Sequence, residues 1–226
     1  AQQTTYTSVP NIKDTFDYAS QSFIFNGKTY LQRSYLPLNT FYSKVNSDGS
    51  VEDRYNLIPK LGFVKAVFYS TQIGNKLFMV GTEYDTTLGW GSLTIFNSDL
   101  SVYKDLVFYD HYGMEFDVCK YDVKRNKMIA TYTYFKHKDS IRSRNWGMME
   151  LDTLGNFIRK KDMPTVSNLE MSENLIITTD GNYLVSGKMN GKTTYIDPFF
   201  VKIDTNFNVL WRTDLRSTGE KFFTQD

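Results

Sequence analysis

Cysteine is almost missing from this chain. Cys119 stands alone among 226 residues, so no intrachain disulfide can form. It sits in the alternating run FDVCKYDV, where a buried, inert thiol is the expected reading, because no neighbour argues for an activated thiolate. An excess of charge is missing too. The 26 Lys and Arg nearly balance the 25 Asp and Glu, leaving a formal net charge of +1. Neither that balance nor a pI near 7.9 suits a nucleic-acid binder. No run approaches the ~18 apolar residues of a membrane-spanning helix. Only two histidines occur, His111 and His137, and neither has metal-ligand spacing, so they are expected to be solvated loop residues and no cofactor is expected. No segment sustains a 3.6-residue apolar period, so no helix is expected.

What the chain does have is aromatic and strand-like. Phe and Tyr number 17 and 16, and hydrophobic residues make up 41%. The segment from Asn174 to Leu215 is the clearest. It parses as NLIITT, an Asp180-Gly181 turn, NYLVSG, a polar loop, FFVKID, a Thr205-Asn206 turn and NVLWRTDL. Asp-Gly between two such runs predicts a tight hairpin with positive φ at both central residues.

The same unit recurs. Asn26-Gly27, Gly74-Asn75, Arg125-Asn126 and Asp180-Gly181 each precede an extended run beginning at Lys28, Lys76, Lys127 and Asn182, at spacings of 48, 51 and 55. A second motif, NSDGSV from Asn46, NSDLSV from Asn97, DTLGNF from Asp152 and DTNFNV from Asp204, repeats in step at 51, 55 and 52. Its Asn, Asp, Ser and Thr side chains can bond the backbone two residues on and so fix a turn locally. Two phased repeats of about 50 residues, each with four short strands, predict an all-β β-propeller of four-stranded antiparallel blades. The expected blades are residues 16–58, 62–109, 115–163 and 169–215. Residues 1–15 form an arm, and 216–226 begin a fifth blade of a longer propeller. Leu77, Val80, Ile95, Ile129, Leu184, Val185 and Ile203 are the expected inter-blade core.

Block four resembles repeats of secreted bacterial β-propellers, especially large cell-surface proteins of the Bacteroidota. The matching positions are Asp180, Gly181, Gly187, Lys202, Asp204, Thr205 and Trp211. Gly81 keeps the strand-ending Gly in block two, while Arg33 and Tyr132 replace it in blocks one and three. The resemblance implies exported cargo of a type IX route, with the secretion machinery as a possible partner. The Ala1-Gln2-Gln3 start fits a mature secreted chain. Localisation is therefore expected to be secreted or cell-surface.

Function is less legible. Asp110, Glu115 and Asp117 could form a carboxylate pair for glycoside hydrolysis, but acidic residues in blade linkers usually form turns. Lys136, Lys138, Arg142 and Arg144 make a basic loop, either solvated or facing an anionic partner. Trp90 and Trp146, near the start of the third strand of neighbouring blocks, are either inter-blade packing or a stacking platform for a sugar or peptide. In a meander the tight turns share one rim and the variable loops share the other, and loops on a rigid scaffold host recognition. The expected function is an extracellular, non-enzymatic binding or adhesion scaffold. It would hold a protein or glycan on the variable rim through Trp90, Trp146, Arg142, Arg144 and Tyr195. The alternative is a propeller hydrolase acting on polysaccharide, which a cluster of carboxylates around the central channel would favour.

Overall fold

A computed structural model of the protein describes residues 17–35, 39–56, 64–84, 88–135, 143–190 and 196–215. The described residues hold sixteen strands and no helix. Blade 1 comprises β1 (Asp17–Phe25), β2 (Lys28–Tyr35), β3 (Asn39–Val45) and β4 (Val51–Asn56). Blade 2 follows with β5 (Val64–Ile73), β6 (Lys76–Tyr84), β7 (Gly89–Phe96) and β8 (Val102–Phe108). In blade 3 the strands are β9 (Met114–Asp122), β10 (Lys127–Phe135), β11 (Arg144–Leu151) and β12 (Phe157–Asp162). Blade 4 has β13 (Glu170–Ile177), β14 (Tyr183–Asn190), β15 (Ile196–Ile203) and β16 (Val209–Asp214). Each blade is an antiparallel meander in chain order, and one parallel bridge, Asn39 to Lys65, links β3 to β5. This is the all-β propeller that the repeats predict. The expected arm and fifth-blade strand lie outside the described residues.

Apolar side chains fill the spaces between blades. Phe78, Val80, Leu93 and Ile95 of blade 2 pack on Phe116, Met128 and Met149 of blade 3. Ile129 and Trp146 of blade 3 pack on Val185, Phe199 and Ile203 of blade 4. Six of the seven expected core residues are buried. Leu184 is only half-buried. Strand side chains alternate: Tyr183 and Val185 face blade 3, which turns Leu184 to the other side of the sheet.

The inner strands β5, β9 and β13 lie side by side, so they line the axis. Each inner strand carries one extra residue: Ser20 in β1, Phe68 in β5, Asp117 in β9 and Glu173 in β13. A bulge of this kind bends the strand and re-aims the extra side chain. It also explains the strand-ending glycine. Gly81 and Gly187 pair with the residue just before the bulge, and a Cβ there would lie 1.9 Å from the Ala66 carbonyl oxygen or 2.2 Å from that of Met171. Tyr132 stands at this position in blade 3, and its ring lies over Gly147 of the next strand, where a Cβ would come within 2.3 Å.

The turns need one correction. Asn26-Gly27 has positive φ at both residues (48° and 72°), as a two-residue hairpin requires. Asp180-Gly181 does not. Only Gly181 is left-handed (82°), and Thr178 N–H bonds to the Asn182 carbonyl across a longer turn. Asp180 instead anchors the turn by accepting the Asn182 N–H. The second repeated motif fixes its turn through an Asp in every blade, at the third motif position in blades 1 and 2 and at the first in blades 3 and 4. Asp48 and Asp99 accept the N–H two residues on, whereas Asp152 and Asp204 each accept two backbone N–H groups. Adjacent blades are clasped at these hairpins. Lys104 donates to the Leu154 carbonyl, and Arg159, at the matching place one blade on, donates to the Thr205 carbonyl.

Candidate functional site

At the variable rim, the start of β9 meets the ends of β6 and β10 and the starts of β11 and β13. Asp117 projects from its bulge into this junction. Its Oδ2 accepts a hydrogen bond from Thr133 Oγ1 at 2.8 Å and another from Ser172 Oγ of blade 4 at 2.5 Å. Burial pushes its carboxyl up to about 7. The two hydroxyl bonds and Arg144 oppose that rise, and Glu115 adds to it. The residue as a whole is only partly buried. Its carboxyl, raised by burial, is one that holds its proton near neutral pH.

Glu115 precedes it by two residues. Tyr84 of blade 2 donates to Glu115 Oε1 at 3.4 Å, and burial and the Glu115 charge push the phenol up to about 12, so it keeps its proton. Arg144 places Nη1 4.0 Å from Glu115 Oε2, with its guanidinium over the Phe135 ring at 5.0 Å and its Nη1 3.8 Å from Met171 Sδ. Gly89 leaves room here, since a Cβ on it would lie 3.1 Å from Glu115 Oε1. Tyr69 packs against the cores on both sides of blade 3, and Lys120 donates to its hydroxyl at 2.8 Å.

Asp110 does not join this pair. It is ion-paired with Lys160 on the outer wall, and its Oδ1 accepts the His111 backbone N–H at 2.9 Å. His111 stacks on Tyr134 at 4.1 Å and sits 3.4 Å from Asp162. Glu170 is a second buried carboxylate near the rim, but its oxygens are fully engaged. Arg212 grips it at 2.9 and 3.1 Å, the Val166 and Ser167 N–H groups donate at 2.6 and 2.9 Å, and Trp146 Nε1 donates at 3.3 Å. That is a structural knot. Among the described residues no three of His, Cys, Asp and Glu gather as metal ligands.

The expected contact residues separate. Arg144 belongs to the carboxylate cluster. Trp146 does not face a partner: it is fully buried, stacked on Phe199 at 5.6 Å between blades 3 and 4. Pairing explains the difference from Trp90. Tyr84 pairs with Gly89 and Phe135 with Arg144, so Trp90 corresponds to Asn145, and Trp146 corresponds to Gly91. One residue of offset puts the two indoles on opposite faces. Trp90 is half-buried and leans on Tyr109 at 5.3 Å. Arg142, Tyr195, Lys136, Lys138 and His137 lie outside the described residues. Tyr84, Thr133 and Ser172 carry no sequence signal of their own, because each earns its place only through pairing across strands or blades.

No protein-family model and no curated protein sequence matches this chain. Solved structures do match. A thermostable family-43 glycoside hydrolase shares the fold with a TM-score of 0.57 at 12% identity, over 98% of this chain and 78% of that one. An α-L-arabinofuranosidase from Clostridium thermocellum aligns with a TM-score of 0.45 at 12% identity, over 89% of this chain and 75% of that one. The shared fold is a β-propeller. The solved structure that shares this fold at a TM-score of 0.57 is a glycoside hydrolase, which speaks against the expected non-enzymatic scaffold. The alternative, a polysaccharide hydrolase, is the one that its own criterion of axial carboxylates supports.

Proposed function

We propose that the protein is a glycoside hydrolase acting on polysaccharide, with Asp117 as general acid and Glu115 as its partner carboxylate. The observation that carries the proposal is the unlike environment of two carboxyls two residues apart. Asp117 is pushed up to about 7 by burial, while Glu115 sits beside the Arg144 guanidinium. Glycoside hydrolysis needs this division of labour. A protonated carboxyl gives its proton to the glycosidic oxygen, and an ionised one attacks the anomeric carbon or activates water against it. Thr133 and Ser172 hold one oxygen of Asp117, leaving the other to face substrate. Arg144 and Tyr84 orient Glu115.

The test is release of reducing sugar from a panel of plant and algal polysaccharides and from nitrophenyl glycosides. Activity in the wild type that is lost in Asp117→Asn and Glu115→Gln supports the proposal. Activity that survives both substitutions rejects it. An extracellular setting follows from a polymeric substrate and from the likeness of block four to exported Bacteroidota propeller repeats, with type IX export as the matching route. Recovery of the native protein from the cytoplasmic fraction would remove that part.

A further inference from the structure

We infer that the outer wall between blades 2 and 3 carries a second, non-catalytic site that takes one neutral sugar ring of a polysaccharide chain. The inference rests on the polysaccharide reading above, but on different residues. A cavity of about 290 Å³ opens there, lined by Val107, Phe108, Tyr109 and Asp110 from blade 2 and by Met149, Phe157 and Lys160 from blade 3. Three features of the lining narrow the ligand.

The charge is balanced. Asp110 and Lys160 are paired with each other, so an ionic ligand would have to displace one of them. Their hydrogen-bonding capacity is not exhausted. Among the described residues the Asp110 oxygens accept the Lys160 ammonium and the His111 N–H, with the His111 Nε2 3.9 Å away, out of about four lone-pair sites, and the ammonium has three donors. An acceptor and a donor side by side suit adjacent hydroxyls. The apolar part is aromatic and unusually open. Tyr109 is 61% exposed and Phe157 is 53% exposed. Trp90 lies against Tyr109 with ring centroids 5.3 Å apart and planes tilted by 55°, adding to the aromatic surface. Exposed rings offer large contact area at low entropic cost. The volume sits near the ~300 Å³ lower end of small-molecule pockets, which is room for one ring and not for a lipid chain or a folded partner. A ring with an apolar face and adjacent hydroxyls meets all three demands.

Affinity electrophoresis in gels cast with arabinoxylan, arabinan, xyloglucan or laminarin tests the inference. It is run on Asp117→Asn protein, so turnover does not interfere. Retardation by at least one of these neutral polysaccharides is expected. Tyr109→Ala and Phe157→Ala in that background should each weaken it about tenfold, with unchanged melting temperature. Both side chains are exposed, so the fold does not depend on them. Lys160→Met is a second probe with the same expectation. Retardation that is unchanged in all three variants, or absent from the parent in all four gels, overturns the site. The hydrolase assay is read separately, and activity without outer-wall binding would reject this site alone.

Discussion

Two bulges built alike do different things. In β9 the extra residue is Asp117, and in β13 it is Glu173. Both are acidic, both interrupt an axial strand, and both sit next to the residue that pairs with the same position of the second strand. Glu173 is about half exposed and pairs with Lys188 at 2.6 Å, an arrangement that solvent screens. Asp117 is enclosed between Thr133 and Ser172 of the following blade, and its carboxyl is pushed up to about 7. The backbone device belongs to the repeat. The chemistry comes from the hydroxyls around it, Thr133 of its own blade and Ser172 of the next.

The sharpest way to break this comparison is to neutralise each bulge residue. Asp117→Asn should reduce kcat by roughly 10²–10⁴-fold, the usual worth of a general acid. Glu173→Gln should leave kcat within about twofold, as measured by reducing-sugar release. Equal losses would mean that the bulges are equivalent and Asp117 is not special.

The two tryptophans give the next contrast. Trp146→Ala should cost ~3–5 kcal/mol in denaturant unfolding, because it empties the space beside Phe199 and leaves Glu170 short of a donor. Trp90→Ala should cost about 1 kcal/mol or less, the usual range for a side chain outside the core. The glycine opposite the bulge comes third. Gly187→Ala drives a methyl into the Met171 carbonyl oxygen and should cost about 2–3 kcal/mol, seen as a lower melting temperature with the m-value unchanged.

A pH series gives a smaller effect whose sign is fixed. Asp117 titrates higher in the folded chain than in the unfolded one, so the folded state binds the extra proton between about pH 4 and about pH 7. Stability from this group is complete below pH 4 and declines as pH rises to 7. Asn at 117 carries no such proton. The melting temperature of Asp117→Asn relative to wild type should therefore climb between pH 4 and pH 8, and a flat difference would contradict the burial of this carboxyl.

Much of this fold was legible and most of the site was not, for one reason. Turns and alternation are local. Asp48, Asp99, Asp152 and Asp204 bond within their own hairpins, so their repeat betrays the hairpins directly. A bulge leaves no local mark. Nothing in FDVCKYDV distinguishes Asp117 as the extra residue, and only its pairing with β10 does so. The same gap put Trp146 on the wrong face and Leu184 in the wrong core, since each depends on a register that one residue inverts. Asp110, Glu115 and Asp117 look like one cluster along the chain. The bend from β8 into β9 sends Asp110 to Lys160 on the outer wall and leaves Glu115 and Asp117 at the axis.

The central claim is that Asp117 keeps its proton near neutral pH, and a titration of the carboxyl carbons by ¹³C NMR measures this without a substrate. One aspartate resonance, absent from the Asp117→Asn spectrum, should titrate with a midpoint of about 7. If the resonance lost in that variant titrates near 4, like an ordinary surface aspartate, Asp117 is ionised at neutral pH and the proposed acid does not exist.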